Sequence, residues 1–65
     1  MFTKEDYTGY FRDINAKEKG MAARQKEMLP RLKDKVLIAN IENVLGDEVR
    51  HVGLTEELLG LLDRL

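Results

Sequence analysis

Glu18 and the tetrad Glu48-Val49-Arg50-His51 carry the side chains best suited to chemistry in this chain of 65 residues. A carboxylate followed 30 residues later by Glu-x-x-His makes half of a carboxylate-bridged site for two metal ions. In helical bundles that build such sites, two helices each supply a Glu and the other two each supply a Glu-x-x-His pair, all projecting inward. Residues three apart on a helix share a face, so Glu48 and His51 can close on one ion or on neighbouring ions. Carboxylate oxygen with imidazole nitrogen suits iron, manganese or zinc better than magnesium or calcium, which favour all-oxygen shells. The ligand types alone leave those three metals open.

Positioning these groups requires two helices around one turn. Thr3 is placed to cap a first helix, with Asp6 near its positive end and Phe2 set to pack on Tyr7 as a hydrophobic staple. Tyr7, Phe11, Ile14, Glu18, Met21, Ala22, Gln25 and Met28 then recur at three- and four-residue steps, which marks one helix face. Pro30 ends this helix near Leu29, because proline removes a backbone donor and pushes its predecessor out of the α region. The expected bounds are residues 4–29 for the first helix, 30–33 for the turn and 34–63 for the second helix.

Asp34 can cap the second helix, whose inner face runs through Leu37, Ile41, Val44, Leu45, Glu48, His51, Val52, Thr55, Leu58, Leu59 and Leu62. Glu48 and His51 thus fall within an apolar stripe, where a carboxylate and an imidazole are costly to bury unless paired or bound to metal. If the chain folds back near residue 32, Glu18 and Glu48 stand at nearly the same height on antiparallel helices, given a rise of about 1.5 Å per residue. Gly9, Gly46 and Gly53 weaken the helical pattern by roughly 1 kcal/mol each relative to alanine. The run Gly53-Leu54-Thr55-Glu56-Glu57 also admits a break, with Thr55 capping a short third helix.

Composition narrows the class. A chain this short forms one domain, and such a domain hides only about 60% of the surface its unfolded form exposes, so a partner is expected. There are no cysteines, which removes disulfides, zinc–thiolate sites and iron–sulfur clusters. Eleven basic against twelve acidic residues give a net charge of -1, without the basic excess of a nucleic-acid binder or a polybasic membrane anchor. No apolar run approaches the ~18 residues of a membrane span, and the first residues lack the pattern of a signal peptide. Neither nucleic acid nor membrane is expected as a partner, and the cytoplasm is the expected location.

Taken singly, each feature has a plain reading. Glu18 can be a solvated charge among Lys17, Lys19 and Glu27, and His51 a core residue bonded to a carbonyl or paired with Glu48. Three features coincide, however: a Glu-x-x-His inside an apolar stripe, a second carboxylate on the opposing stripe, and a turn between them. Together they favour a metal site.

The pattern Tyr10-x-x-x-Ile14-x-x-x-Glu18-x-x-Met21, then Asp34-x-x-Leu37-x-x-x-Ile41, then Asp47-Glu48-Val49-Arg50-His51-Val52-x-Leu54 resembles the ferritin-like superfamily, with rubrerythrin-type half-repeats and above all the encapsulated ferritins. That resemblance implies an all-α hairpin that dimerises into a four-helix bundle. It implies Glu18 as a bridging or terminal carboxylate, Glu48 as the second carboxylate and His51 as the terminal nitrogen ligand. It further implies two Fe ions per dimer, with Mn or Zn as substitutes, and a ferroxidase that oxidises Fe(II) with oxygen for storage or detoxification. An encapsulin shell would then be a partner, and its interior the location. Gln25 departs from the pattern, since many ferritin-like helices carry a tyrosine seven residues after the first Glu. The competing function is a metal-free dimerisation or adaptor module in which Glu48 and His51 form a buried register-fixing pair. A rubrerythrin-type peroxidase is the third reading.

Overall fold

A computed structural model describes residues 1–65 as two antiparallel helices joined by a short connection. Helix α1 spans Lys4–Met28 and helix α2 spans Lys35–Asp63, with a single 3₁₀ turn at Leu29–Arg31 between them. The expected bounds hold to within a residue or two.

Local chemistry accounts for each end. The Thr3 hydroxyl accepts from the Asp6 amide at 3.2 Å while the Asp6 carboxylate accepts from the Thr3 amide at 2.9 Å, a reciprocal capping box that satisfies two donors. Phe2 packs on Tyr7 with ring centroids 5.7 Å apart. Pro30 sits within the 3₁₀ turn, where α1 has already stopped. Asp34 then opens α2, its Oδ1 accepting from the amides of Val36 and Leu37 at 2.9 and 3.0 Å.

Two expectations need correction. Helix α2 runs unbroken through Gly46 and Gly53 to Asp63, so no third helix begins at Thr55. The Thr55 hydroxyl instead donates back to the Val52 carbonyl one turn earlier, at 3.0 Å. The inner faces are also narrower than the full apolar stripes. Phe11, Ile14, Glu18, Ala22 and Gln25 on α1 meet Ile41, Leu45, Glu48, Val52, Thr55, Leu59 and Leu62 on α2, whereas Tyr7, Met21, Met28, Leu37, Val44, His51 and Leu58 remain exposed.

The exposed set has an order of its own. Met21 directly precedes an inner residue of α1 and Met28 the half-buried Leu29 of the connection, while Val44, His51 and Leu58 directly precede inner residues of α2 and Leu37 the half-buried Ile38. One residue is a rotation of about 100°, and the same rotation on two antiparallel right-handed helices turns both stripes to the same side of the hairpin. That side carries Met21, Met28, Leu37, Val44 and Leu58, with exposed Lys17, Arg24 and Asp47 preceding inner residues in the same way. The opposite side carries the Lys19–Glu56 ion pair at 3.0 Å together with Lys26 and Val49.

Only Ala22 and Thr55 are buried. The hairpin measures 48 × 17 × 14 Å and exposes 5347 Å². A compact monomer of its 7.5 kDa mass would expose about 4,200 Å². The surplus is about 1,100 Å², more than the ~800 Å² each partner contributes to a standard stable interface.

Candidate metal centre

Glu18 lies near the middle of α1, and Glu48 and His51 lie one turn apart near the middle of α2. The short connection between Met28 and Lys35 returns the chain so that the three side chains meet. One ligand atom from each of Glu18, Glu48 and His51 can be chosen such that all lie within 4.8 Å of one another. His51 Nδ1 stands 3.7 Å from Glu18 Oε1, an approach between helices and not within α2.

Burial differs across the cluster. The Glu18 side chain is only 18% exposed, and its Oε2 is cut off from solvent without a hydrogen-bond partner. A buried carboxylate oxygen with nothing to accept from is costly, and a cation held between Glu18 and Glu48 would remove that cost. Glu48 is half-buried, while the His51 side chain is 56% exposed because it belongs to the outer stripe. The cluster therefore opens onto the apolar side of the hairpin, with Met21 and Val44 before it and Leu58 beyond.

Donor types and positions fit a divalent transition metal: two carboxylates and one imidazole converge from two helices, with ring and carboxylate atoms at separations that one ion can bridge. Three ligands per chain leave such an ion incompletely surrounded. A second hairpin laid on the same face would bring a second set of three.

The flanks are less involved. Gln25, two turns along α1 from Glu18, also has a buried Oε1 without a partner. Arg50, between Glu48 and His51 in sequence, turns away from the cluster to pair with Asp47. Glu56 is held below the usual carboxylate range by a hydrogen bond and charge attraction from Lys19, with a smaller contribution from Asn15.

One functional neighbour escapes a reading of the sequence by apolar periodicity. Asn15 sits on the inner face of α1, one turn before Glu18, and hydrogen-bonds across to α2. The available signal was its position: three residues before Glu18, it shares that residue's face.

Comparisons with protein-family models, with characterised proteins and with solved structures find no match. No helix is long and apolar enough to cross a membrane.

Proposed function

We propose that this chain is a ferritin-like half-site protein that pairs through its apolar side into an antiparallel four-helix bundle, holding two iron ions between two copies of Glu18, Glu48 and His51. The observation carrying this reading is the convergence of those three side chains at mid-length of the hairpin, Glu18 and Glu48 from the inner faces and His51 from the exposed side that also carries Met21, Val44 and Leu58. Glu18 and Glu48 supply the negative charge that offsets the cations, and the neutral His51 ring supplies a nitrogen lone pair. Two Fe(II) ions held side by side can each give an electron to oxygen, which makes ferroxidation for iron storage or detoxification the activity. Manganese or zinc can occupy the same ligands. Pairing of two copies through this side would enclose the cluster among Met21, Val44 and Leu58, which are exposed in the single hairpin.

An encapsulin shell as partner, with the protein as its cargo, follows from the resemblance alone. The second reading, a metal-free dimerisation module, draws on the 3.7 Å approach of His51 to Glu18: a polar pair at a helix interface can fix register without metal.

Native mass spectrometry during anaerobic Fe(II) titration separates the two. Even-numbered assemblies taking up one iron per chain, with uptake lost in Glu48→Ala, support the shared metal centre and lead directly to oxygen-consumption assays. A dimer that takes up no Fe(II), Mn(II) or Zn(II) leaves the adaptor reading, and a stable monomer without metal removes both.

A further inference from the structure

Asn15 donates two hydrogen bonds across from α1 to α2, beside the exposed Lys19–Glu56 ion pair. Its Nδ2 lies 2.9 Å from Thr55 Oγ1 and 3.4 Å from the Val52 carbonyl oxygen. Thr55 Oγ1 in turn donates to that same carbonyl at 3.0 Å. The arrangement admits one proton assignment. The carbonyl can only accept and the single Thr55 proton is committed to it, so the group facing both oxygens must be the Asn15 amino group and not its carbonyl. Thr55 is one of the chain's two buried residues, at 7% exposure.

Apart from the exposed Lys19–Glu56 pair and the Glu18–His51 approach, the rest of the helix contact is largely apolar and repeats with helical period. Such contacts are non-directional, so they tolerate small sliding and rotation of one helix against the other. The short connection prevents gross slippage but leaves the last ångströms undetermined at the middle of the hairpin. A directional polar contact between helices can set them, as single polar residues set register in coiled coils.

We propose that Asn15 and Thr55 form a register clamp that positions Glu18 against Glu48 and His51. Neither residue is a ligand; both act through the groups beside them. Asn15 precedes Glu18 by three residues, a rise of about 4.5 Å, and Thr55 follows His51 by four, a rise of about 6 Å. The clamp therefore holds both helices one turn from the cluster, on the side toward the open end of the hairpin. A full-turn displacement of one helix is about 5.4 Å, larger than the 4.8 Å within which the ligand atoms meet. Even a fraction of that shift would separate them.

This inference rests on the metal-centre reading for its functional meaning but not for its geometry, and the test keeps the two apart. The variants are Thr55→Val, which keeps the shape and removes the hydroxyl, Thr55→Ser, which restores it, and Asn15→Ala, which removes the donor while raising intrinsic helix propensity. Two quantities are read on the full chain after circular dichroism has checked helix content. One is the metal-free proton NMR cross-relaxation between the Glu18 methylenes and the His51 ring. The other is Co(II) affinity with its visible absorption spectrum, which reports ligand geometry.

The expected result is that Thr55→Val and Asn15→Ala stay helical, lose the Glu18–His51 cross-peak, bind Co(II) roughly 10-fold or more weakly and show an altered spectrum, as removal of supporting contacts typically does. Thr55→Ser should restore both readouts. Helical variants that keep the cross-peak and wild-type Co(II) binding would overturn the clamp, as would a wild type without the cross-peak. A wild type that shows the cross-peak but binds no metal would overturn the metal centre while the variants' cross-peaks still decide the clamp.

Discussion

Glu18, Glu48 and His51 make different demands on the fold, and those demands separate the readings of this chain. Glu18 is the most enclosed and has an oxygen without a partner, so its environment calls for a cation; His51 is half-open and can serve either a metal or a second chain. Replacing His51 with Gln keeps a polar side chain able to pair with Glu18 but removes the imidazole nitrogen. A titration with Zn(II) or Fe(II) should show the His51→Gln variant weakened by more than the roughly 100-fold upper range seen for residues that only support a ligand. Unchanged helix content and dimerisation in that variant would confine the loss to the metal. Glu56 offers a contrast on the opposite side. Its carboxyl is held below the usual range by Lys19, so the charged form is favoured in the folded state. The contribution is present above the ordinary carboxylate range and fades as pH falls through the lowered value. Because Glu56 is exposed, Glu56→Gln should lower the melting temperature only slightly, with the difference from wild type present at neutral pH and vanishing as pH falls through the lowered value.

Among the elements, the ends were legible in the sequence and the faces only in part. Thr3 with Asp6, Pro30 and Asp34 each act through bonds within a few residues, so residue type and position were enough to place both helices. The three ligand candidates were legible for a similar reason: two lie on one helix, and the distance of each helix's carboxylate from the turn sets their common height. Face assignment depends on what packs against what. A single neighbouring helix covers only a narrow strip, so the broad apolar stripes split into inner and outer halves that period alone does not distinguish. Thr55 shows the limit most plainly, because its sequence context suits a cap, yet Asn15 from the other helix engages it as a buried hydroxyl. Asp34→Ala should lower stability by about 1 kcal/mol, as loss of a helix cap does. Gly53 lies within α2 with nothing inside 4 Å of where a side-chain carbon would sit. Gly53→Ala should therefore raise stability by about 1 kcal/mol, and thermal denaturation of the two variants should move in opposite directions.

At the scale of the whole molecule, the hairpin exposes more surface than its mass requires, and one side gathers Met21, Met28, Leu37, Val44 and Leu58. A single helix pair with two buried residues offers little to offset the entropy of ordering its 65 residues. Stability should therefore belong to the assembly and depend on concentration, as it does when folding and association are one equilibrium. Leu58 gives the sharpest test, since it is 39% exposed, lies two turns beyond His51 on the outer stripe and touches none of the proposed ligands by chemistry. Leu58→Glu would place a charge on the proposed interface near the open end of the hairpin while leaving Glu18, Glu48 and His51 intact. The melting temperature of the wild type should rise with protein concentration. The variant should lose that dependence, sediment as a monomer and show reduced helix content. Its metal uptake should fall as well, although every ligand is present, because one hairpin supplies only three. A variant that remains monomeric, fully helical and able to bind metal with wild-type affinity would show instead that one hairpin is sufficient, and the apolar side would then need a different occupant. If high concentration of metal restores the dimer, the ligands and the apolar face act on the same equilibrium, and binding energy at the centre offsets the repulsion introduced at the seam.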